Sequence, residues 1–202
     1  MKRPPFQPVE RGAVEHYPPG RAPADTNPPM PGDFILVNVA GLYGRLVQIG
    51  QGLRFRGADR EFCRWNHAAL IVGSNGELVE AAGTKVVEGN LASYLGSDYS
   101  LVRIAGSFED REEVVRFGRW CLKQDYAFLT ILSILFSLLT GARFSFMIDG
   151  QETCSGLVAR ALERTSAIFN RDASHIMPAD LAKYFQVHVP ALAGAGVGAG
   201  GA

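Results

Sequence analysis

Cysteine is the strongest nucleophile a protein offers near neutral pH, provided its thiol is ionised, and its position decides that ionisation. The chain has three, Cys63, Cys121 and Cys154. Cys154 stands in Thr153-Cys154-Ser155-Gly156-Leu157-Val158, at the entry to a segment whose apolar residues Leu157, Val158, Ala161 and Leu162 follow helical spacing. In the first turn of a helix the unpaired backbone N–H groups and the dipole favour a thiolate. The same N–H groups could hold a developing oxyanion. A single cysteine at a helix start is more often a small core residue, so position alone decides little. Cys121 falls on a predicted helix face and Cys63 in a predicted loop without a base.

A cysteine nucleophile needs a base within hydrogen-bond reach and a polar group to orient that base. Of the four histidines, His16 lies in a proline-rich arm where no framework is expected to fix it. His67 begins an apolar strand and shares its face with Ala69 and Ile71. The next strand, Glu77 to Ala82, follows Gly73-Ser74-Asn75-Gly76, and Asn-Gly is a strong hairpin signal. A four-residue loop sets Val72 opposite Glu77 and Ala69 opposite Glu80, which makes His67 and Glu80 diagonal neighbours about 7–8 Å apart on one face. Glu80 could then accept from one imidazole nitrogen and leave the other as base. A two-residue loop keeps the face but carries Glu80 away, and a three-residue loop breaks the pairing. The rival bases are His175, in a loop before Ile176-Met177-Pro178, and His188, between Val187 and Val189 on a possible strand. Both are weaker for want of a carboxylate on a paired strand. Asn66 and Trp65 have ordinary readings as a turn residue and a core aromatic.

The elements that must position these groups form runs of strands followed by helices, which indicates an α+β domain. Asp33 to Val39 reads as a buried strand, Leu42 to Leu53 as a helix despite its glycines, and Lys85 to Glu88 and Tyr99 to Ile104 as further strands. Asn90 caps a short turn through Leu91 and Tyr94. Ser107 with Asp110 opens a helix with Val114, Val115, Phe117, Trp120, Cys121 and Leu122 inward. Phe185 to Val189 could close the sheet. Residues 1–32 hold most of the prolines and are expected as an extended arm, residues 33–190 as the domain, and 191–202, alternating alanine and glycine, as a flexible tail. Residues 126–142 carry no charge. Thr130, Ser133, Ser137 and Thr140 give them a small hydroxylated face opposite Phe128, Leu132, Leu135 and Leu139, so a core helix is expected, with membrane contact not favoured.

Twenty basic residues balance 20 acidic ones, which offers no net field for a polyanion, so nucleic acid is not expected as a partner. The cysteines and histidines lack the close spacing of a structural zinc site, so no metal or cofactor is expected. Pro4-Pro5 follows Met1-Lys2-Arg3 without the apolar stretch of an export signal, and a cytoplasmic location is the expectation, with delivery to the envelope by another route left open.

Cys-Ser-Gly-Leu-Val at 154–158 resembles the nucleophile motif of NlpC-type cell-wall cysteine peptidases, and Asn-His-Ala-Ala-Leu-Ile-Val-Gly at 66–73 resembles their histidine strand. The histidine strand precedes the cysteine helix, as in the circularly permuted branch that includes lecithin retinol acyltransferase-like proteins. Gly32-Asp33, Leu78-Val79-Glu80-Ala81 and Asp125-Tyr126 are similar to that branch too, so the likeness runs from about Gly32 to Val189. The resemblance implies a permuted papain-like fold, an antiparallel sheet packed against helices. It implies Cys154 as nucleophile, His67 as base and Glu80 as third polar residue. Asn66 stands where a serine is usual and Thr153 where an aromatic or aspartate is usual. The side-chain part of the oxyanion site then falls to Tyr126, Thr153, Ser155 or Asn66. The implied reaction is cleavage of an amide or ester, in peptidoglycan peptides or acylated small molecules, or acyl transfer. The alternative is a catalytically silent structural or binding module on the same fold, attached through its terminal arms to a larger assembly.

Overall fold

The computed structural model describes residues 10–24, 26–82, 85–122, 153–165 and 172–189. They form an α+β arrangement whose sheet has six antiparallel strands. The strands are β1 (Glu10–Tyr17), β2 (Phe34–Asn38), β3 (His67–Ile71), β4 (Glu77–Ala82), β5 (Lys85–Asn90) and β6 (Asp98–Ala105). Their order across the sheet is β1-β6-β2-β3-β4-β5. The helices are α1 (Leu42–Arg54), α2 (Phe108–Cys121), α3 (Cys154–Leu162) and α4 (Pro178–Phe185). Two 3-10 segments, Gly57–Arg64 and Leu91–Tyr94, link elements around the site. The apolar stretch 126–142, Tyr126 and the tail at 191–202 lie outside the described residues. No helix among the described residues is long and apolar enough to cross a membrane.

β2 and β3 are buried on both faces, which explains why they read as continuous apolar runs rather than alternating ones. On one face Phe34, Leu36, Leu70 and Val102 meet Leu157, Val158, Ala161 and Leu162 of α3, together with Val114 and Cys121 of α2. On the other, Ile35, Val37, Ala69, Ile71, Leu78, Tyr99 and Leu101 form a second cluster that Tyr17 and Tyr94 flank. α2 begins in a capping box, with Ser107 Oγ accepting from Asp110 N–H and Asp110 Oδ2 from Ser107 N–H. Gly118 brings it onto the sheet, since a Cβ there would stand 2.7 Å from Leu70 Cδ2. Trp120, expected inward, is 56% exposed: the buried stripe is Val114, Gly118 and Cys121, and residue 120 falls off that i, i+4, i+7 line.

Asp33, fully buried, binds the entry of the sheet together. Its carboxylate accepts from Arg111 Nη1 at 2.9 Å, from Met30 N–H at 2.9 Å and from Ile104 N–H at 3.2 Å. Gln51 has an equivalent task in α1, donating to the carbonyls of Cys63 and Trp65 and accepting from Ala179 N–H at 2.8 Å. α1 is thereby fixed to the loop before β3 and to α4.

Two segments differ from the sequence expectation. Part of the proline-rich arm is a strand, because β1 finds partners along β6: Tyr17 stacks on Tyr99 with centroids 5.2 Å apart, and Glu15 pairs with Arg103 at 2.6 Å. His16 is consequently held, with Nδ1 3.2 Å from Ser100 Oγ and Nε2 3.1 Å from Asp98 Oδ1, at a position that β6 and β2 separate from β3. The second is Phe185 to Val189, which adds no strand. Pro178 starts α4, Asp180 Oδ2 accepts from Met177 N–H, and Leu181, Ala182 and Phe185 bury one face. Gln186 then ends the helix at a φ of 54°, in the left-handed region.

Candidate active site

The hairpin fixes the first pair. Val72 N–H donates to Glu77 O at 2.8 Å, and Leu70 stands opposite Val79 and Ile71 opposite Leu78, the register of a four-residue loop at Gly73 to Gly76. His67 and Glu80 are thus diagonal across β3 and β4, and His67 Nε2 lies 2.5 Å from Glu80 Oε2. Both side chains are nearly enclosed, at 10% and 12% exposure, so the contact is shielded from solvent. Because Nε2 faces the carboxylate, Nδ1 is the nitrogen left for a substrate or a nucleophile.

Cys154 is supplied by α3. Thr153 is the N-cap, its Oγ1 accepting from Gly156 N–H at 2.9 Å, and Thr153 O accepts from Leu157 N–H at 2.8 Å. The helix packs on β3 and β4 where those strands part. β3 stays paired with β2 down to His67, and β4 with β5 through Ala82, but the β3–β4 ladder runs only from Ile71 to Leu70. Ile71 donates toward β2, to Asp33 O, and Val72 toward β4, so Ala68 also aims its N–H at the β4 side. In a continued ladder that N–H would meet Ala81. Here the Ala68 N–H, with that of Ser155, and the His67 imidazole are the groups that act on the ionisation of the Cys154 sulfur.

These contacts set the protonation of the group. Burial pushes the Cys154 thiol up, but the His67 hydrogen bond and charge, with the Ala68 and Ser155 N–H groups, outweigh it and hold the pKa below the ordinary 9.0. Burial pushes the imidazole down, and Cys154 and Glu80 outweigh that, raising His67 to about 10. The two directions agree: each group favours the charged form of the other. Glu80 follows the same pattern, with burial opposed by donation from His67 and Tyr94, and its carboxyl stays below the usual 4.5. The other cysteines differ. Cys121 is fully buried on α2, and Cys63, which lies in a 3-10 segment rather than a loop, has its thiol pushed up by burial.

Cys154, His67 and Glu80 are therefore brought together, whereas the remaining candidates have other engagements. Ser155 Oγ donates to Ile176 O at 2.6 Å, and Thr153 Oγ1 caps the helix. Asn66 Oδ1 accepts from Val39 N–H at 2.7 Å and its Nδ2 donates to Val39 O at 2.9 Å, so that amide clamps the chain after β2. Tyr126 lies outside the described residues. His188 pairs with Glu61 at the surface, 3.1 Å away, and His175 is exposed. One residue of the site went unread in the sequence. The Tyr94 hydroxyl donates to Glu80 Oε2, the oxygen that also contacts His67, and its ring lies 5.8 Å from the imidazole at 30°. A tyrosine four residues beyond a capping asparagine gives no signal of this, because the contact crosses elements.

Among the described residues, no group of three or more His, Cys, Asp or Glu is placed to hold a metal ion. Two concavities of about 540 and 550 Å³ are lined by Met30, Val72, Phe108 and Arg111 and by Arg45, Ile49, Leu53 and Cys63, and neither includes Cys154.

No protein-family model matches the chain, and no curated protein matches it. Among solved structures, the metalloprotein yiiX from Escherichia coli O157:H7 is similar with a TM-score of 0.46 at 16% identity, over 68% of this chain and 66% of that one. The chain thus spans just under two thirds of that protein's length.

Proposed function

We propose that the chain is a cysteine hydrolase of permuted papain-like design, similar to the NlpC-type peptidases, with Cys154 as nucleophile, His67 as general acid and base, and Glu80 orienting the imidazole. The observation that carries it is one histidine 2.5 Å from a nearly enclosed carboxylate and beside a cysteine at a helix start, the histidine and the cysteine each shifting the other's ionisation toward the charged form. In the first step the Cys154 thiolate adds to an amide or ester carbonyl carbon, and the carbonyl electrons move to oxygen. The Cys154 backbone N–H, at the open start of α3, faces the developing oxyanion. When the C–N or C–O bond breaks, the proton on His67 Nδ1 goes to the leaving atom and a thioester remains. Water then adds to the thioester carbonyl, giving its proton to His67, and the C–S bond breaks to release the acid and restore the ion pair.

Peptidoglycan stem peptides and acylated small molecules both present such a carbonyl, and the acyl group left on Cys154 distinguishes them. A panel of N-acyl peptides and acyl esters, with turnover followed for wild type and for Cys154→Ala, tests the proposal. Hydrolysis that depends on Cys154 supports it. A folded protein that turns over none of the panel, and whose Cys154 alkylates no faster near pH 6 than Cys63 or Cys121, would favour a silent binding module instead.

A further inference from the structure

We propose that Tyr94 is a positioning residue of this site, fixing the Glu80 carboxylate that in turn aims His67 at Cys154. The role rests on the hydrolase reading of the site. Tyr94 reaches the pair in two ways: its hydroxyl donates to Glu80 Oε2, and its ring lies against the imidazole, centroids 5.8 Å apart. A carboxylate held by a histidine alone can rotate about its terminal bond, exchanging oxygens and swinging the imidazole with it. A second donor on the same oxygen removes that freedom, and the ring closes the imidazole's open side.

The backbone is arranged to hold Tyr94 there. Leu91, buried, donates from its N–H to Gly76 O at 2.8 Å, tying the 3-10 segment Leu91–Tyr94 to the loop between β3 and β4. Asn90 caps that segment, its Oδ1 accepting from Ala92 N–H at 2.9 Å, while its Nδ2 reaches Asn75 O at 3.3 Å. One loop therefore sets both the register that makes His67 and Glu80 diagonal and the phenol that holds the carboxylate. Burial and the neighbouring carboxylate push the Tyr94 hydroxyl well above its ordinary range, so it stays a donor throughout the working pH range.

Tyr94→Phe keeps the ring and removes only the donor, which makes the pH profile the readout. With iodoacetamide as probe and peptide mass spectrometry to read Cys154, the acid limb of alkylation is expected to move up, because a carboxylate free to rotate holds the His67 imidazolium less well beside the Cys154 thiolate. Site-specific replacement of Tyr94 by 3-fluorotyrosine, a nearly isosteric and stronger donor, is expected to move the limb down, and it serves if the phenylalanine variant fails to fold. A limb that stays at the wild-type pH in folded variants overturns the role of Tyr94 while the Cys154-dependent profile stands. A wild-type Cys154 that alkylates with the profile of an ordinary thiol overturns the hydrolase proposal and this inference with it.

Discussion

Replacing His67 by alanine is expected to move the acid limb of Cys154 alkylation upward by about one to two pH units. In the wild type, His67 is the foremost of the groups that hold the thiol below 9.0 against burial. The alanine variant keeps only the neutral N–H groups of Ala68 and Ser155. A hydrogen bond to a charged partner contributes roughly 1.5–3 kcal/mol, and each 1.36 kcal/mol is one pKa unit, which gives the shift. At pH 6 the thiolate population then falls by about 10- to 100-fold. The more basic thiolate is intrinsically more reactive, with a Brønsted slope of about 0.4–0.5, so roughly half of the logarithmic loss returns and the rate falls by about 3- to 10-fold. Cys154 is only 6% exposed, and deleting the imidazole opens space beside it. That change affects access at every pH alike, so the position of the limb, not the plateau, is the quantity to measure. Iodoacetamide rates between pH 5 and pH 10, read on the Cys154 peptide, provide it. A limb at the same pH in both proteins would refute the assignment of His67 as the group that ionises Cys154.

Further expectations concern stability. Glu80 is held below 4.5 in the folded protein, so its contribution is present above that value and is lost as pH falls through the folded pKa. Urea midpoints of wild type and Glu80→Gln should therefore differ at pH 6 and draw together as the pH is lowered through the folded pKa of Glu80, and midpoints that stay parallel at every acid pH would contradict this. Asp33→Ala leaves Arg111 without its buried partner and is expected to cost about 3 kcal/mol, or about 10 °C in melting temperature, read by calorimetry. Alanine at Gly44 would gain roughly 1 kcal/mol in helix propensity. Its Cβ would stand 2.2 Å from Val39 O and 2.6 Å from Asn66 Nδ2, however, and overpacking against backbone costs about 1–3 kcal/mol. A net loss is expected, and a stabilised variant would show that α1 is free to shift.

How far the site was legible depended on whether its contacts were local. The His67–Glu80 pair follows from one turn, because Gly73 to Gly76 fixes a register and register fixes which side chains are diagonal. The start of α3 at Cys154 follows from Thr153 as N-cap and the apolar spacing behind it. What brings the two together is the parting of β3 from β4 between Leu70 and His67, and no residue pattern in either strand announces it. Tyr94 was missed for the same reason. β1 was hidden by composition: prolines flank it, and its pairing with β6 depends on cross-strand partners such as Arg103 and Tyr99, far along the chain. Val187 lies within Phe185 to Val189, which read as a strand that could close the sheet. It is instead the residue that follows a helix end, and its carbonyl accepts from Trp65 Nε1 at 3.2 Å. Ser155 and Asn66 were plausible as site polar groups by proximity in sequence, but Ile176 and Val39 take their hydrogen bonds.

The most direct test of the central claim is intact-protein mass spectrometry during turnover of an activated acyl ester, quenched in acid to preserve a thioester. The account predicts an adduct of one acyl group that maps to Cys154, builds up before steady state, is released by neutral hydroxylamine, and is absent from Cys154→Ala. Turnover without any acyl adduct, or with the adduct on another residue, would contradict Cys154 as the nucleophile.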